Sequence, residues 1–248
     1  MLLLGIDVGT TGAKAAVFND DGIQMGYAFQ EYGIISPQRG YAEQDAELVW
    51  NITKEVIKKA ITGIGHEIAA LSISVQGDAI IPINENREAL SYAQLGMDYR
   101  GTEETKRCET EFGGRNLFEL TGMRPHPLNS LIKILWIKNN DPELYDKTFK
   151  FVTYADFILG KLGSDEIVID YTMASRTMAF DIKKLQWSKE VSDKLDIDID
   201  KLATPVPSGT IVGTIQKGLA DELQLNQKAL LVAGGHDQTC AALGAGIV

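Results

Sequence analysis

A chain of 248 residues is enough for one large domain or two small ones, at ~150 residues per domain. With 44% hydrophobic and 23% charged residues it is globular in composition, which excludes a disordered or fibrous chain. Lys+Arg 24 against Asp+Glu 34 gives a formal charge of −10, which argues against general nucleic-acid binding and leaves any polyanion to be met by local donors.

In chain order, the opening predicts a buried strand over residues 2–6, a Gly/Thr-rich turn over 9–12 and a second strand over 13–18. The turn signal Asn19-Asp20-Asp21-Gly22 then leads into a third strand over 23–32. A Rossmann or P-loop unit would place a helix directly after the glycines, so a dinucleotide fold is disfavoured. From Asp45 the apolar residues Leu48, Val49, Ile52, Val56, Ile57, Ala60 and Ile61 recur at helical spacing. Strands are expected over 71–75 and 79–83. Residues 101–139 read as mostly helical, with breaks at Gly113-Gly114 and Arg124-Pro125-His126-Pro127. A short strand over 149–153 and a helix over 154–162 follow. Residues 203–209, with Pro205 and Pro207, read as an irregular connector. A strand over 211–215, a helix over 218–223, a strand over 229–233 and a helix over 238–243 restore an α/β rhythm. The last residues, Gly244-Ala245-Gly246-Ile247-Val248, have the look of a chain entering another element. No apolar run approaches ~18 residues, so no membrane span or signal peptide is expected, and a cytoplasmic setting is.

Four segments carry the polar chemistry. Asp7-Val8-Gly9-Thr10-Thr11-Gly12-Ala13-Lys14 closes a buried strand with a turn whose N–H groups converge, with hydroxyls at Thr10 and Thr11 and a cation at Lys14. Asp7 stands where a carboxylate can hold Mg²⁺, directly or through water; the same stretch also reads as a hairpin with a polar tip. Gly234-Gly235-His236-Asp237-Gln238 runs from an apolar strand into a helix start, where Asp237 serves either as an ionised base or as a helix cap. Gln76-Gly77-Asp78 and Asp98-Tyr99-Arg100 offer amide, carboxylate and guanidinium groups suited to polyol hydroxyls, or else ordinary turn and cap residues. His66 and His126 read as structural or surface residues, which excludes a His-rich metal site. Cys108 and Cys240 form neither a zinc pattern nor a disulfide framework.

Together these stretches resemble the FGGY family of carbohydrate kinases, in the actin-like ATPase superfamily. Gly5-Ile6-Asp7-Val8-Gly9-Thr10-Thr11 is similar to the family's first phosphate motif, and Gly40-Tyr41-Ala42-Glu43-Gln44-Asp45 to a stretch before its first long helix. Gln76-Gly77-Asp78 lies where the family contacts its sugar, and Asp98-Tyr99-Arg100 matches its Asp-x-Arg. Residues 170–177 followed by Phe180-Asp181 are similar to its Ala-Ser-x-Thr segment, and Gly234-Gly235-His236-Asp237-Gln238 to the motif of its catalytic aspartate.

The resemblance implies an α/β, ribonuclease H-like lobe with a mixed sheet and a largely helical insertion over about 92–202. It also implies ATP- and Mg²⁺-dependent phosphorylation of a sugar or polyol hydroxyl. Asp237 would be the base. Asp7 would organise Mg²⁺ and the transferring phosphoryl group, with Thr10, Thr11 and Lys14 along the phosphate path. Gln76, Gly77, Asp78, Asp98, Arg100, His236 and Gln238 would face the sugar. Residues 1–248 would form the sugar-binding lobe, with a C-terminal nucleotide-binding lobe as the missing partner; a homodimer is compatible with this arrangement. Where xylulokinase-like members tend to show Gln-Met-His and glycerol kinases Gln-Arg-Glu, this chain has Gln76-Gly77-Asp78. A neutral polyhydroxylated sugar, such as xylulose or a related ketose, fits better than an acidic one. A non-catalytic sugar-binding module and an actin-like ATPase of other function are the alternatives.

Overall fold

The computed structural model describes residues 1–247. A six-stranded mixed sheet is built from β1 (Leu2–Val8), β2 (Gly12–Asn19), β3 (Gln24–Glu31), β4 (Ile68–Val75), β5 (Ile211–Thr214) and β6 (Leu230–His236). Their order is β5-β6-β4-β1-β2-β3. β4 runs parallel to both β1 and β6, while the remaining neighbours are antiparallel. The helices are α1 (Ala46–Ala60), α2 (Thr102–Phe112), α3 (Gly114–Thr121), α4 (Ser130–Asn140) and α5 (Pro142–Lys147). They continue with α6 (Tyr154–Leu162), α7 (Tyr171–Arg176), α8 (Lys189–Leu195), α9 (Lys217–Leu223) and α10 (Asp237–Gly244).

Alternation along β1 turns Leu2, Leu4, Ile6 and Val8 inward, as a half-buried strand requires. They share one core with Val49, Val56 and Ile57 of α1 and with Phe157 and Ile158 of α6. Asp45 starts α1 by accepting the N–H groups of Glu47 and Leu48, which would otherwise lack partners. Leu48 does not join the core: it falls off the buried stripe and is exposed. A second core lies under the helices after β4, where Cys108, Phe112, Leu117, Leu131 and Leu135 meet Met178. The expected helical insertion over 92–202 is therefore not uniform, because α6, apolar on nearly every side, returns to the sheet. The stretch 203–209 is also more ordered than expected. Thr204–Val206 pairs in parallel with Val168–Asp170, a two-stranded arrangement whose edges tolerate the missing N–H of Pro205.

The other face of β1, β2 and β3 is exposed. Leu3 and Phe18 are cross-strand partners there, beside Tyr27 and Phe29, and all four are exposed. Beside Tyr27 runs a trough of about 320 Å³ over Gly5, Ala16 and Ser72, ending at Cys240.

Where β6 lies against β4, the pairing slips: Val232 faces Ser72 and Gly235 faces Ser74, so β6 carries one extra residue. A Cβ at Gly234 would overlap the Ile73 carbonyl, so the irregularity depends on glycine.

α6 also carries a titration that tests the fold. The Asp156 carboxylate accepts the Thr153 N–H at 2.9 Å and the Thr153 hydroxyl at 2.9 Å, closing a capping box. Burial pushes this carboxyl up to about 8; the capping bonds oppose the shift and the nearby Asp170 carboxylate adds to it. The folded state thus holds a proton that the unfolded chain releases near the model-peptide value of about 4. Its contribution to stability is complete below that pH and is lost as pH rises through 8. Asp156→Asn is expected to remove a stability slope of up to ~1.4 kcal/mol per pH unit across this window. Urea unfolding at several pH values measures it; parallel wild-type and variant curves would show that Asp156 is ionised in the folded protein.

Candidate active site

The three parallel strands finish together, with Val8 opposite Val75 and Val75 opposite His236. The turn after β1, the turn after β4 and the start of α10 therefore emerge at one edge of the sheet. The crevice beyond the carboxyl ends of parallel strands is the usual ligand position in α/β folds. Register alone thus gathers Asp7 and Thr10, Gln76 to Asp78, and His236 to Gln238.

The first turn is held from several sides. Gly9 N–H donates to the Gly12 carbonyl at 3.0 Å, and the Tyr32 hydroxyl donates to the Gly9 carbonyl at 2.6 Å. Gln44 Nε2 donates to the Thr10 carbonyl at 2.7 Å, and the Thr10 hydroxyl donates to Gln76 Oε1 at 3.1 Å. Gln76 Nε2 in turn donates to Gln44 Oε1 at 3.0 Å. Gln76 is buried and braces this turn. Burial, and then the Asp7 carboxylate, raise the Tyr32 phenol far above its ordinary range, so it stays a hydrogen-bond donor.

Asp7 and Lys14 are cross-strand partners, and Lys14 Nζ lies 3.1 Å from Asp7 Oδ2. Asp7 Oδ1 accepts the Ser74 hydroxyl at 3.1 Å. Thr11 is exposed at the tip of the turn. Among the described residues no group of three or more His, Cys, Asp or Glu side chains gathers around a metal position. A single accessible carboxylate fits Mg²⁺, which keeps most of its waters and takes further oxygens from phosphates.

In the second turn Asp78 adopts a left-handed backbone with φ 66° and is 3% exposed. Its Oδ2 accepts from Arg176 Nη2 at 2.6 Å. Asp78 Oδ1 and Arg176 Nε are both buried without a hydrogen-bond partner among the described residues. An unpaired buried acceptor beside an unpaired buried donor is costly to leave unmet. Lys133 stands close by, buried in α4 and donating to the Pro127 and Leu128 carbonyls. Burial pushes its amine down to about 8, against the pull of Asp78 and Asp98.

Sequence reasoning singled out neither Arg176 nor Lys133. Arg176 sits inside the Ala-Ser-x-Thr-like segment at its variable position. Lys133 shows only as one charge in the apolar run Leu131-Ile132-Lys133-Ile134-Leu135.

Asp98 and Arg100 do not join this gathering as free groups. Asp98 Oδ1 accepts from Arg100 Nε at 2.9 Å, and its Oδ2 accepts from Arg100 Nη2 at 2.6 Å and from Ala42 N–H at 2.8 Å. Arg100 Nη2 also donates to Glu43 at 2.5 Å, and the guanidinium lies over the Tyr41 ring at 3.8 Å. Both side chains are nearly closed to solvent and tie the stretch around Gly40 to the start of α2.

Asp237 is the first residue of α10, with its side chain 40% exposed. Its Oδ1 lies 3.2 Å from His236 Nε2 and 2.7 Å from the Gln238 N–H. His236 is buried, and its backbone N–H donates to the Thr172 hydroxyl at 2.8 Å. Thr172 donates that hydroxyl to Asp170 Oδ1 at 2.5 Å, so the start of α7 anchors the end of β6. Gln238 is exposed. Cys108 and Cys240 are both free thiols.

Residues 2–244 match the N-terminal domain of the FGGY family of carbohydrate kinases, and the chain belongs to that family. It is 30% identical over 252 residues to a xylulose kinase of Lactococcus lactis subsp. lactis (strain IL1403), covering 99% of this chain and 49% of that protein. A gluconokinase of Bacillus subtilis (strain 168) is 29% identical, with 98% of this chain and 47% of that protein covered. Among solved structures, the ligand-bound xylulose kinase from Lactobacillus acidophilus superposes with a TM-score of 0.92 at 25% identity, covering 99% of this chain and 50% of that one. The chain spans about half the length of the relatives it matches. The fold is that of the actin-like ATPase carbohydrate kinases, with the mixed sheet and helical additions expected from the sequence. Among the described residues no helix is long and apolar enough to cross a membrane.

Proposed function

We propose that this chain is the sugar-binding lobe of an ATP-dependent carbohydrate kinase, acting with a second, nucleotide-binding lobe. The observation that carries this reading is the common register of Val8, Val75 and His236, which brings a phosphate-type turn, a polar turn and a helix-start carboxylate to one sheet edge.

In this reading Asp237 accepts the proton of the attacking sugar hydroxyl late in transfer, when that proton is most acidic. Thr10, Thr11 and the N–H groups of the first turn line the phosphate path, and Lys14 adds a point charge. Asp7 is the residue that would hold Mg²⁺, which when bound neutralises phosphate charge. Gly77, Asp78, His236 and Gln238 border the sugar, while Gln76, Asp98 and Arg100 support the walls around it.

Relatives named for xylulose and for gluconate frame the choice of substrate. Arg176 holds Asp78 Oδ2, and Asp78 Oδ1 is left as an unpaired acceptor. A hydroxyl can donate to it, whereas an ionised carboxylate cannot. A neutral ketose or polyol, which brings no carboxylate up to Asp78, is the favoured substrate class.

Coupled assay of ADP release by the two-lobe kinase against pentuloses, hexuloses, polyols and aldonates tests the reading. Turnover is expected with a neutral ketose or polyol and falls severalfold or more in Asp7→Ala across a Mg²⁺ titration. Hydrolysis that ignores every sugar would assign the protein to a different actin-like ATPase role.

A further inference from the structure

We propose that Gly77 and His236 act as one device that positions Asp237, with the missing side chain at residue 77 making room for the imidazole that steadies the base. The inference rests on the assignment of Asp237 as the base and adds how its carboxylate is aimed.

A Cβ built on Gly77 would lie 2.6 Å from His236 Nε2 and 2.9 Å from His236 Cδ2. Neither approach is possible for a real side chain, so the edge of the imidazole rests directly on the backbone of residue 77. Arg176 Nε flanks the same point at 3.6 Å while its Nη2 holds Asp78. The ring is thus closed in by the turn after β4, with Arg176 of α7 beside that same turn. Its backbone is fixed by Thr172, and the ring is 3.2 Å from Asp237 Oδ1 through Nε2. With Oδ1 bound by the Gln238 N–H and facing the ring Nε2, Oδ2 is the oxygen left to take a proton.

His236 is therefore a positioning residue. Gly77 is a glycine because of that ring, and its own backbone φ lies outside the left-handed region.

Two measurements test this. In the two-lobe kinase, Gly77→Ala and His236→Ala are each expected to lower kcat ~10- to 100-fold, whatever the accompanying change in KM for the sugar these residues border. The double variant should be no worse than either single one, because both remove the same contact. His236→Gln, whose Nε2 donates from a similar reach, should recover most of the rate. In residues 1–248 alone, ¹⁵N–¹H spectra of the three histidine rings should show His236 protonated on Nε2, and only that ring should respond to Gly77→Ala.

Additive losses, a change in KM alone, or a His236 ring signal indifferent to Gly77→Ala would overturn the proposal. If Gly77→Ala does not fold, the contrast between His236→Ala and His236→Gln decides. The spectra are independent of turnover, so a wild-type kinase inactive on every sugar would refute the functional assignment and leave the ring contact separately tested.

Discussion

Asp237→Asn in the two-lobe kinase is expected to reduce kcat by ~10²- to 10⁴-fold, the range in which a general base contributes. The substitution keeps size and shape and removes the proton acceptor. The exchange leaves His236 Nε2 and the Gln238 N–H with an oxygen to face, so the cleft should hold its form. The N-cap of α10 is His236 and not Asp237, so the cap expected from the sequence is not formed. A merely structural role for the first helical residue would tolerate asparagine with little effect. The expected signature is a low kcat with KM for the sugar nearly unchanged. A loss of less than tenfold would make Asp237 a structural residue of the helix start.

A second large effect is expected from residues 1–248 studied by themselves. This polypeptide should unfold cooperatively and bind sugar weakly, yet show no phosphoryl transfer above background. In the proposed reading one wall of the cleft and the adenosine site belong to another lobe. Holding two reactants in line is worth ~7–11 kcal/mol of barrier, and a single wall cannot supply it. The exposed sheet face with Leu3, Phe18, Tyr27 and Phe29 should also drive self-association, visible by sedimentation as a concentration-dependent mass. Transfer to any sugar at ordinary enzyme rates by residues 1–248 would overturn the two-lobe assignment.

Much of this architecture is written in local signals. Glycine and threonine after Asp7, and Asn19-Asp20-Asp21-Gly22 after it, punctuate the two opening hairpins, and the strands form with ends shifted by one or two residues. The helix at 154–162 is legible to the residue.

What stayed hidden depends on contacts between distant segments. Gln76 has the chemistry of a sugar ligand, but Thr10 and Gln44 engage its amide. Asp98 and Arg100 look like free donors and acceptors until Glu43, Tyr41 and Ala42 close around them. Arg176 acquires meaning only when α7 meets the turn at Asp78. Gly77 looked like a departure from a family pattern; its reason lies in a histidine on another strand.

The extra residue in β6 has an implication for how this protein can change. Deleting Gly234 would let β6 pair with β4 without interruption, and an unbroken ladder favours the folded state. The same deletion would keep Gly235 opposite Ser74 and His236 opposite Val75, but would remove the bend that a bulge puts into its strand. His236 and Asp237 would then keep their register and lose the aim that the bend gives them. Selection for heat resistance alone therefore has a route open to it that discards catalysis, and laboratory evolution of this lobe has to screen for both properties at once.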